Sequence, residues 1–343
     1  MTTMIKSLSI GARVMMDLHA LNNEGNESNR LMTRQVGIVT PALDEATGES
    51  GYARSVVNAI SGDMNKHMFA DAYHDIALDL GLPLCEACKA LDPARMMGNP
   101  DFAEWIRSKP SVEEVINRLI TCALDDVCGI MITGEGTSVK RKSAVEFGWT
   151  VGLPDVTKVE EFIHARHAIT RLTRTKAGKG ATDEEKAEAA RQKEANIGQM
   201  IFTRPASSGV YAFVAHLDAC AIGFNDATQE YVIDERQRAQ RLRAAVLALA
   251  QVLLHPKGAL TSTQLPHVLD VEGFVSVSQS AAAAPLVSPL MHDYQARAQN
   301  YTTLINRLHG ENSAYALPFS GQDGLLTQFD ALLGDFTPGA YQR

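Results

Sequence analysis

The stretch ISGDMNKHM at residues 60–68 sets Lys66 and His67 one turn into a helix that Ser61 or Asp63 can cap. A helix start leaves backbone N–H groups without partners, so it is a natural seat for an anion, and cations on its first turns strengthen that seat. The spacing predicts either a capped core helix or a phosphate site. For His67 to act as a general acid or base it needs a carboxylate partner, and Asp63 one turn earlier is the candidate. A second cationic group, Lys140, Arg141 and Lys142, stands in GEGTSVKRKS. Three consecutive cations repel one another without a counter-charge, and the glycines let a ligand approach the backbone, so this loop predicts phosphate contact. From Arg166 to Lys179 there are five Lys or Arg, including Arg171, and no acid, which predicts a third contact of the same kind.

Other chemistries fail on spacing. Cys85-x-x-Cys88 is half of a zinc pattern, but Cys122 and Cys128 stand six apart and no His pair lies at ligand spacing nearby. Buried free thiols and no bound metal or other cofactor are expected. Gly178-Lys179-Gly180 lacks the upstream glycine of a phosphate-binding loop, Gly134 to Gly136 lack the third glycine of a dinucleotide fingerprint, and no G-x-S-x-G elbow is present. Five cysteines in 343 residues argue for a reducing compartment. A net charge of −8 ordinarily argues against nucleic acid, but clustering of the cations hides a basic stripe within it. With no secretory leader pattern and no apolar run near the ~18 residues of a membrane span, the expectation is a soluble, cytoplasmic protein with no membrane partner.

The elements that would hold these residues follow from periodicity. Leu8 to Leu18 alternates as a strand with one buried face, a polar Asn-Gly loop follows, and the helix from Ser61 runs to Gly81. Ser111 and Glu114 stand in capping-box spacing before the helix VEEVINRLITCAL. VCGIMI reads as a buried strand, GEGTSVKRKS as an exposed loop, and AVEFGWTVGLP as a strand ending at Pro154. Residues 155–207 have strand-like ends and a charged middle that suits a solvated helix, the pattern of an inserted long hairpin. ERQRAQRLRAAVLALAQVLL carries Ala239, Leu242, Val246, Leu249 and Leu253 on one helical face, which leaves Arg236, Arg238, Arg241 and Arg243 for solvent or a subunit contact. Without the excursions the order is strand, helix, strand, strand, helix, strand. That order predicts an α+β fold with a ferredoxin-like antiparallel sheet, the plan RNA-recognition modules also use.

These stretches resemble one family. ISGDMNKH is similar to the ISGN-x-x-KH signature of the DevR-type CRISPR-associated proteins, the Cas-seven family, and SLSIGARVMMDLHALNNEGN, SAVEFGWTVGLP, GQMIFTRPASSGVYAF, IDERQRAQRLRAAVLAL, PKGALTSTQLPHVLDVEG and SPLMHDY resemble further blocks in the same order. Asp63 departs from the usual Asn, and Cys128 stands where His is frequent. The resemblance implies one elaborated domain over residues 1–343. Its RNA-recognition-like palm would carry helical fingers at 82–126 and a β-hairpin thumb at 155–207. It implies a non-catalytic backbone subunit of type I Cascade that polymerises with copies of itself along a CRISPR RNA. The guide would be presented to a target DNA strand beside Cas-five type, large and small subunits. Carried over residue by residue, Asn22, Asn23, Arg34, Ser61, Lys66 and His67 would lie at the RNA backbone with Lys140, Arg141 and Lys142 beside them. Arg166 and Arg171 would lie in the thumb, where Met200, Phe202 and Arg204 alternate on one strand face, an apolar pair and a cation suited to wedging between bases. Two other readings stand beside this one. In an endoribonuclease that processes CRISPR RNA, His67 would be the general acid or base. A transcriptional autoregulator is suggested by the family's historical name, but the sequence offers no helix-turn-helix with a basic recognition helix.

Overall fold

The computed structural model describes residues 3–43, 50–134, 137–167 and 199–341. The chain opens with β1 (Thr3–Ile5), β2 (Ser7–His19), the short hairpin β3 (Asn23–Glu27) and β4 (Arg30–Thr33), and the ribbon β5 (Gln35–Leu43) and β6 (Ser50–Ile60). Helix α1 (Gly62–Asp79) follows at once, and then the short helices α2 (Glu86–Lys89), α3 (Pro100–Ile106), α4 (Val112–Thr121) and α5 (Ala123–Cys128). Next come β7 (Ile130–Gly134), β8 (Thr137–Arg141), β9 (Val145–Phe147) and the long strands β10 (Thr150–His167) and β11 (Gln199–Asp218). After β12 (Phe224–Asn225) and β13 (Glu230–Tyr231), the last part holds α6 (Glu235–Leu254), β14 (His267–Ser278), α7 (Tyr294–His309), β15 (Ala314–Ser320), α8 (Gly321–Gly334) and β16 (Phe336–Pro338).

The central sheet runs β15-β14-β2-β11-β10-β6-β5, with β9 also paired to β11. Its neighbours β14, β2, β11, β10 and β6 are all antiparallel. Strand β2 is buried on both faces over most of its length rather than on one. Leu8, Ile10, Ala12, Val14 and Met16 enter the main core, which α1 and α6 cover. The other face is sealed by the segment that follows β14: Ser9 donates to the Ala284 carbonyl, and the Arg13 guanidinium donates to those of Pro289 and Met291. Gly11 permits this closeness, because a Cβ there would lie 2.6 Å from the Phe274 ring and 2.9 Å from the Val287 oxygen.

Several local expectations change. Val127 and Cys128 finish α5 rather than start a strand, and Gly129, at φ 66°, turns the chain into β7. GEGTSVKRKS is not simply a loop: Thr137–Arg141 pair with Ile130–Gly134 as a hairpin. The strand at Thr150 does not end at Pro154 but runs on to His167, with a register shift between Gly152 and Thr157 that absorbs the proline. From Thr157↔Gly209 to His167↔Gln199 the two long strands form one antiparallel ribbon. The charged middle of that insertion, with its expected helix and Arg171, lies outside the described residues.

Two of the four arginines of α6 are the largest correction to the helix reading. Arg241 is fully buried and Arg238 is 5% exposed. The Arg238 guanidinium lies 3.9 Å from the Tyr231 ring centroid and its Nε donates to the Ile222 carbonyl, while Arg243 donates to the Leu333 carbonyl. Arg238 and Arg241 are thus tied to the core by carbonyl acceptors, while Arg236 and Arg243 are exposed as expected.

Candidate nucleic-acid interface

The first turn of α1 is built by residues far apart in sequence. Ser61 is the N-cap, its Oγ accepting from the Met64 N–H. Its own N–H donates to Asn22 Oδ1 at 2.7 Å, and Asn22 is 6% exposed. Asn65 donates to the Gly148 carbonyl and to Thr150 Oγ1, which fixes the helix start on the β9–β10 connection. Asn22 and Ser61, both expected at the RNA, are therefore occupied with each other beneath the surface and hold the backbone in place. The residues left to meet a ligand here are their neighbours.

Arg34 is the first of them. Its backbone links both strands, donating to the Asn22 carbonyl and accepting from Ala59, and Asn58 donates to its carbonyl as well. Its guanidinium lies 5.7 Å from the ring centroid of Trp149, which is 41% exposed. The Nε of Arg34 and the Oδ1 of Asn23 are both enclosed without a protein partner. The Arg34 guanidinium and the half-exposed indole, next to a helix N-terminus, suit the phosphate and the face of a nucleotide. Trp149 was missed by the sequence reading, although a lone Trp between glycine and a strand start was visible signal. Further along α1, Lys66 is half-buried and His67 is exposed, with Nε2 3.6 Å from Asp71. The carboxylate near His67 is thus one turn later, not Asp63.

The Lys140–Lys142 run divides. Lys140 is exposed on β8, and Lys142 is exposed and ion-paired with Glu146. That pair raises the Lys142 pKa and lowers that of Glu146. Arg141, however, is 5% exposed and donates to Asp126, to the Phe224 carbonyl and to the Ala221 carbonyl. Its charge is spent inside the fold, so its place in the phosphate set is withdrawn. The alternation of a strand is the physical reason for the first step, since Lys140 and Arg141 point to opposite sides of β8, which ends at Arg141.

On the long ribbon, Phe202 stacks on His164 of the opposite strand at 5.5 Å, and the Arg204 guanidinium lies 5.2 Å from the Phe202 ring. Arg204 also donates to Thr263. Phe162, the partner of Arg204 in register, is 45% exposed. The ribbon thus carries a row of His, Phe and Arg planes suited to base contact, to which His164 and Phe162 are additions. It is braced at its base by Arg30, whose Nε donates to both Glu161 oxygens at 2.8 and 2.9 Å. Arg166 and Met200 lie on the paired strands, their side chains outside the described residues.

We expect Lys140→Ala with Lys142→Ala to weaken RNA binding about equally for all sequences. The salt slope should fall in magnitude by roughly 0.7 per cation removed from a single-strand contact. A loss confined to some sequences, measured by fluorescence anisotropy across salt, would count against backbone contact.

Residues 10–299 match the family model described as CRISPR-associated negative auto-regulator DevR/Csa2. A CRISPR-associated protein Cas7/Cst2/DevR of Methanocaldococcus jannaschii is 24% identical over 304 residues, covering 85% of this chain and 87% of that protein. A CRISPR-associated aCascade subunit Cas7/Csa2 of Saccharolobus solfataricus is 22% identical over 268 residues, covering 76% and 75%. Among solved structures, a chain of a CRISPR RNA-guided surveillance complex in a pre-nicking state aligns over 94% of this chain and all of its own, with a TM-score of 0.45 and 10% identity. A second chain of such a complex aligns with a TM-score of 0.42, at 10% identity over 95% of this chain and 98% of its own. With its family model spanning most of its length, from the core of β2 into α7, the chain belongs to the DevR/Csa2 family of CRISPR-associated proteins.

Proposed function

We propose that this protein grips the sugar-phosphate backbone of a CRISPR RNA as a repeated, non-catalytic subunit of a type I Cascade complex, and holds the guide for pairing with target DNA. The observation that carries the proposal is the Arg34 guanidinium over the half-exposed ring of Trp149, next to the start of α1. The groups gathered there suit phosphate, ribose and base stacking, which fits a protein that leaves sequence to pairing. In this reading β14-β2-β11-β9, crossed by α1 and α6, is the RNA-recognition-like palm. Residues 82–126 are fingers, and residues 155–207, which include the β10–β11 ribbon, are a thumb whose Phe202 and Arg204 part the bases of a guide shared with a neighbouring copy.

In this reading His67 binds rather than cuts. It is exposed and opposed by one exposed carboxylate, with no second general acid or base beside it in the described contacts. The cleanest test expresses the chain with and without a CRISPR RNA and measures mass and nucleic-acid content. Multiples of the chain on one RNA are expected, and an RNA-free monomer under both conditions would sink the reading. Arg34→Ala removes one charged hydrogen bond, worth about 1.5–3 kcal/mol, so RNA affinity should fall roughly 10- to 100-fold. Loss of precursor-RNA cleavage in His67→Ala with binding intact would instead establish the nuclease.

A further inference from the structure

We propose that Cys85, Cys88, Cys122 and Asp125 form a tetrahedral zinc site that staples the segment between α1 and β7. One ligand atom from each, three Sγ and a carboxylate oxygen, lie within 4.8 Å of one another, and three of the four residues are fully buried. Zinc–sulfur bonds of about 2.3 Å place tetrahedral donors about 3.8 Å apart, so a contraction of roughly an ångström closes the shell. In sequence only Cys85 and Cys88 show ligand spacing, because no second C-x-x-C follows. The missing half is Cys122, the residue joining α4 to α5, and Asp125 one turn later.

The surroundings are arranged as outer support for such an ion. Asp125 Oδ1 accepts from Arg95 Nε at 2.9 Å, which leaves Oδ2 facing the sulfurs, 3.4 Å from Cys88 Sγ and 3.9 Å from Cys85 Sγ. Thiols are weak donors, so a buried carboxylate oxygen turned toward them lacks a strong partner, which a cation supplies. The Cys88 N–H points at Cys85 Sγ at 3.4 Å, a contact that favours thiolate at that sulfur. The Ala123 N–H donates to the Pro83 carbonyl at 2.8 Å, so the backbone already holds the two halves together. A surface cleft lined by Asn99, Phe102 and Arg118 is also lined by Cys85 and Cys122, two of the four ligands, and provides access. Three thiolates with one carboxylate select zinc over the oxygen-seeking magnesium or calcium. Binding releases the three thiol protons to solvent and leaves no open position, so the site is structural.

The test uses the full chain purified without chelator under reducing conditions. Elemental analysis should find about one zinc per chain. Cobalt substituted for it should give thiolate-to-metal charge-transfer bands and the visible bands of a tetrahedral ion. Cys88→Ser with Cys122→Ser should lower bound zinc at least tenfold, while Cys220→Ser, a buried thiol elsewhere, should leave it unchanged. The cobalt spectrum of the unaltered chain decides the matter even where the double variant fails to fold. A folded, reduced chain with no zinc and no thiolate–cobalt band overturns the proposal. So does an intact mass showing a disulfide among these cysteines, or retention of zinc by the folded double variant.

Discussion

Asp126→Ala is expected to remove about 3–5 kcal/mol of stability, the usual result of stripping one partner from a buried ion network. Asp126 is fully buried, and its two oxygens accept from Arg141, from Arg241 at 2.6 Å and from the Gly223 N–H at 3.0 and 3.2 Å. Arg241 donates in addition to the Ile120 carbonyl, and Arg141 to those of Ala221 and Phe224. This one carboxylate joins α5, β8, α6 and the turn after β11. Without it two guanidinium groups remain in the core with carbonyl partners but no counter-charge. Because whole domains carry only about 5–15 kcal/mol, the variant should lie near the edge of folding. Urea unfolding followed by circular dichroism measures this, and a change under about 1 kcal/mol would show the charges are solvated after all. Arg141→Ala, which a phosphate role would make a surface change, should share this loss of stability.

Arg141 also shows where sequence reading stops. Signals that act within one turn were legible: Ser111 and Glu114 form both bonds of the capping box, and Ser61 caps α1. Periodicity also showed β2, α1 and α6 as elements, because periods of two and of 3.6 residues belong to each element alone. What could not be read was which distant group neutralises a charge. Arg141 looked like part of an unpaired basic run, yet its counter-ion stands 15 positions earlier and the second cation a hundred residues later. Asn22 looked like a loop residue free to touch RNA, but Ser61, 39 positions away, uses its oxygen. The same limit hid the proposed metal shell, divided between Cys85 and Asp125 across 40 positions. Hence the region of the candidate site was legible from ISGDMNKHM, while the division between residues that shape it and residues that face outward needed the tertiary contacts.

Lowering the pH from 7 to 5 is expected to cost the fold close to 2 kcal/mol through His19 alone. Burial pushes its pKa down from the ordinary 6.5 to about 4, and neither ring nitrogen has a hydrogen-bond partner in the protein. The unfolded chain therefore binds a proton that the folded chain refuses, so stability is full above pH 6.5 and is lost as the pH falls toward 4. Its ring packs edge-on against Tyr211 at 5.0 Å. Tyr211 donates to Asn58 Oδ1, and Asn58 donates to Thr33 Oγ1 and to the Arg34 carbonyl. The buried ring thus adjoins the chain of bonds that reaches the Arg34 carbonyl, and because the folded chain stays unprotonated at His19 above pH 5, its effect in this range is on stability. His216, also lowered by burial, adds a smaller slope of the same sign. His19→Phe keeps the edge-on ring contact and removes the titration, so its urea midpoint should vary much less between pH 5 and 7. If that variant keeps the full native pH dependence, the loss originates elsewhere and His19 is not its cause.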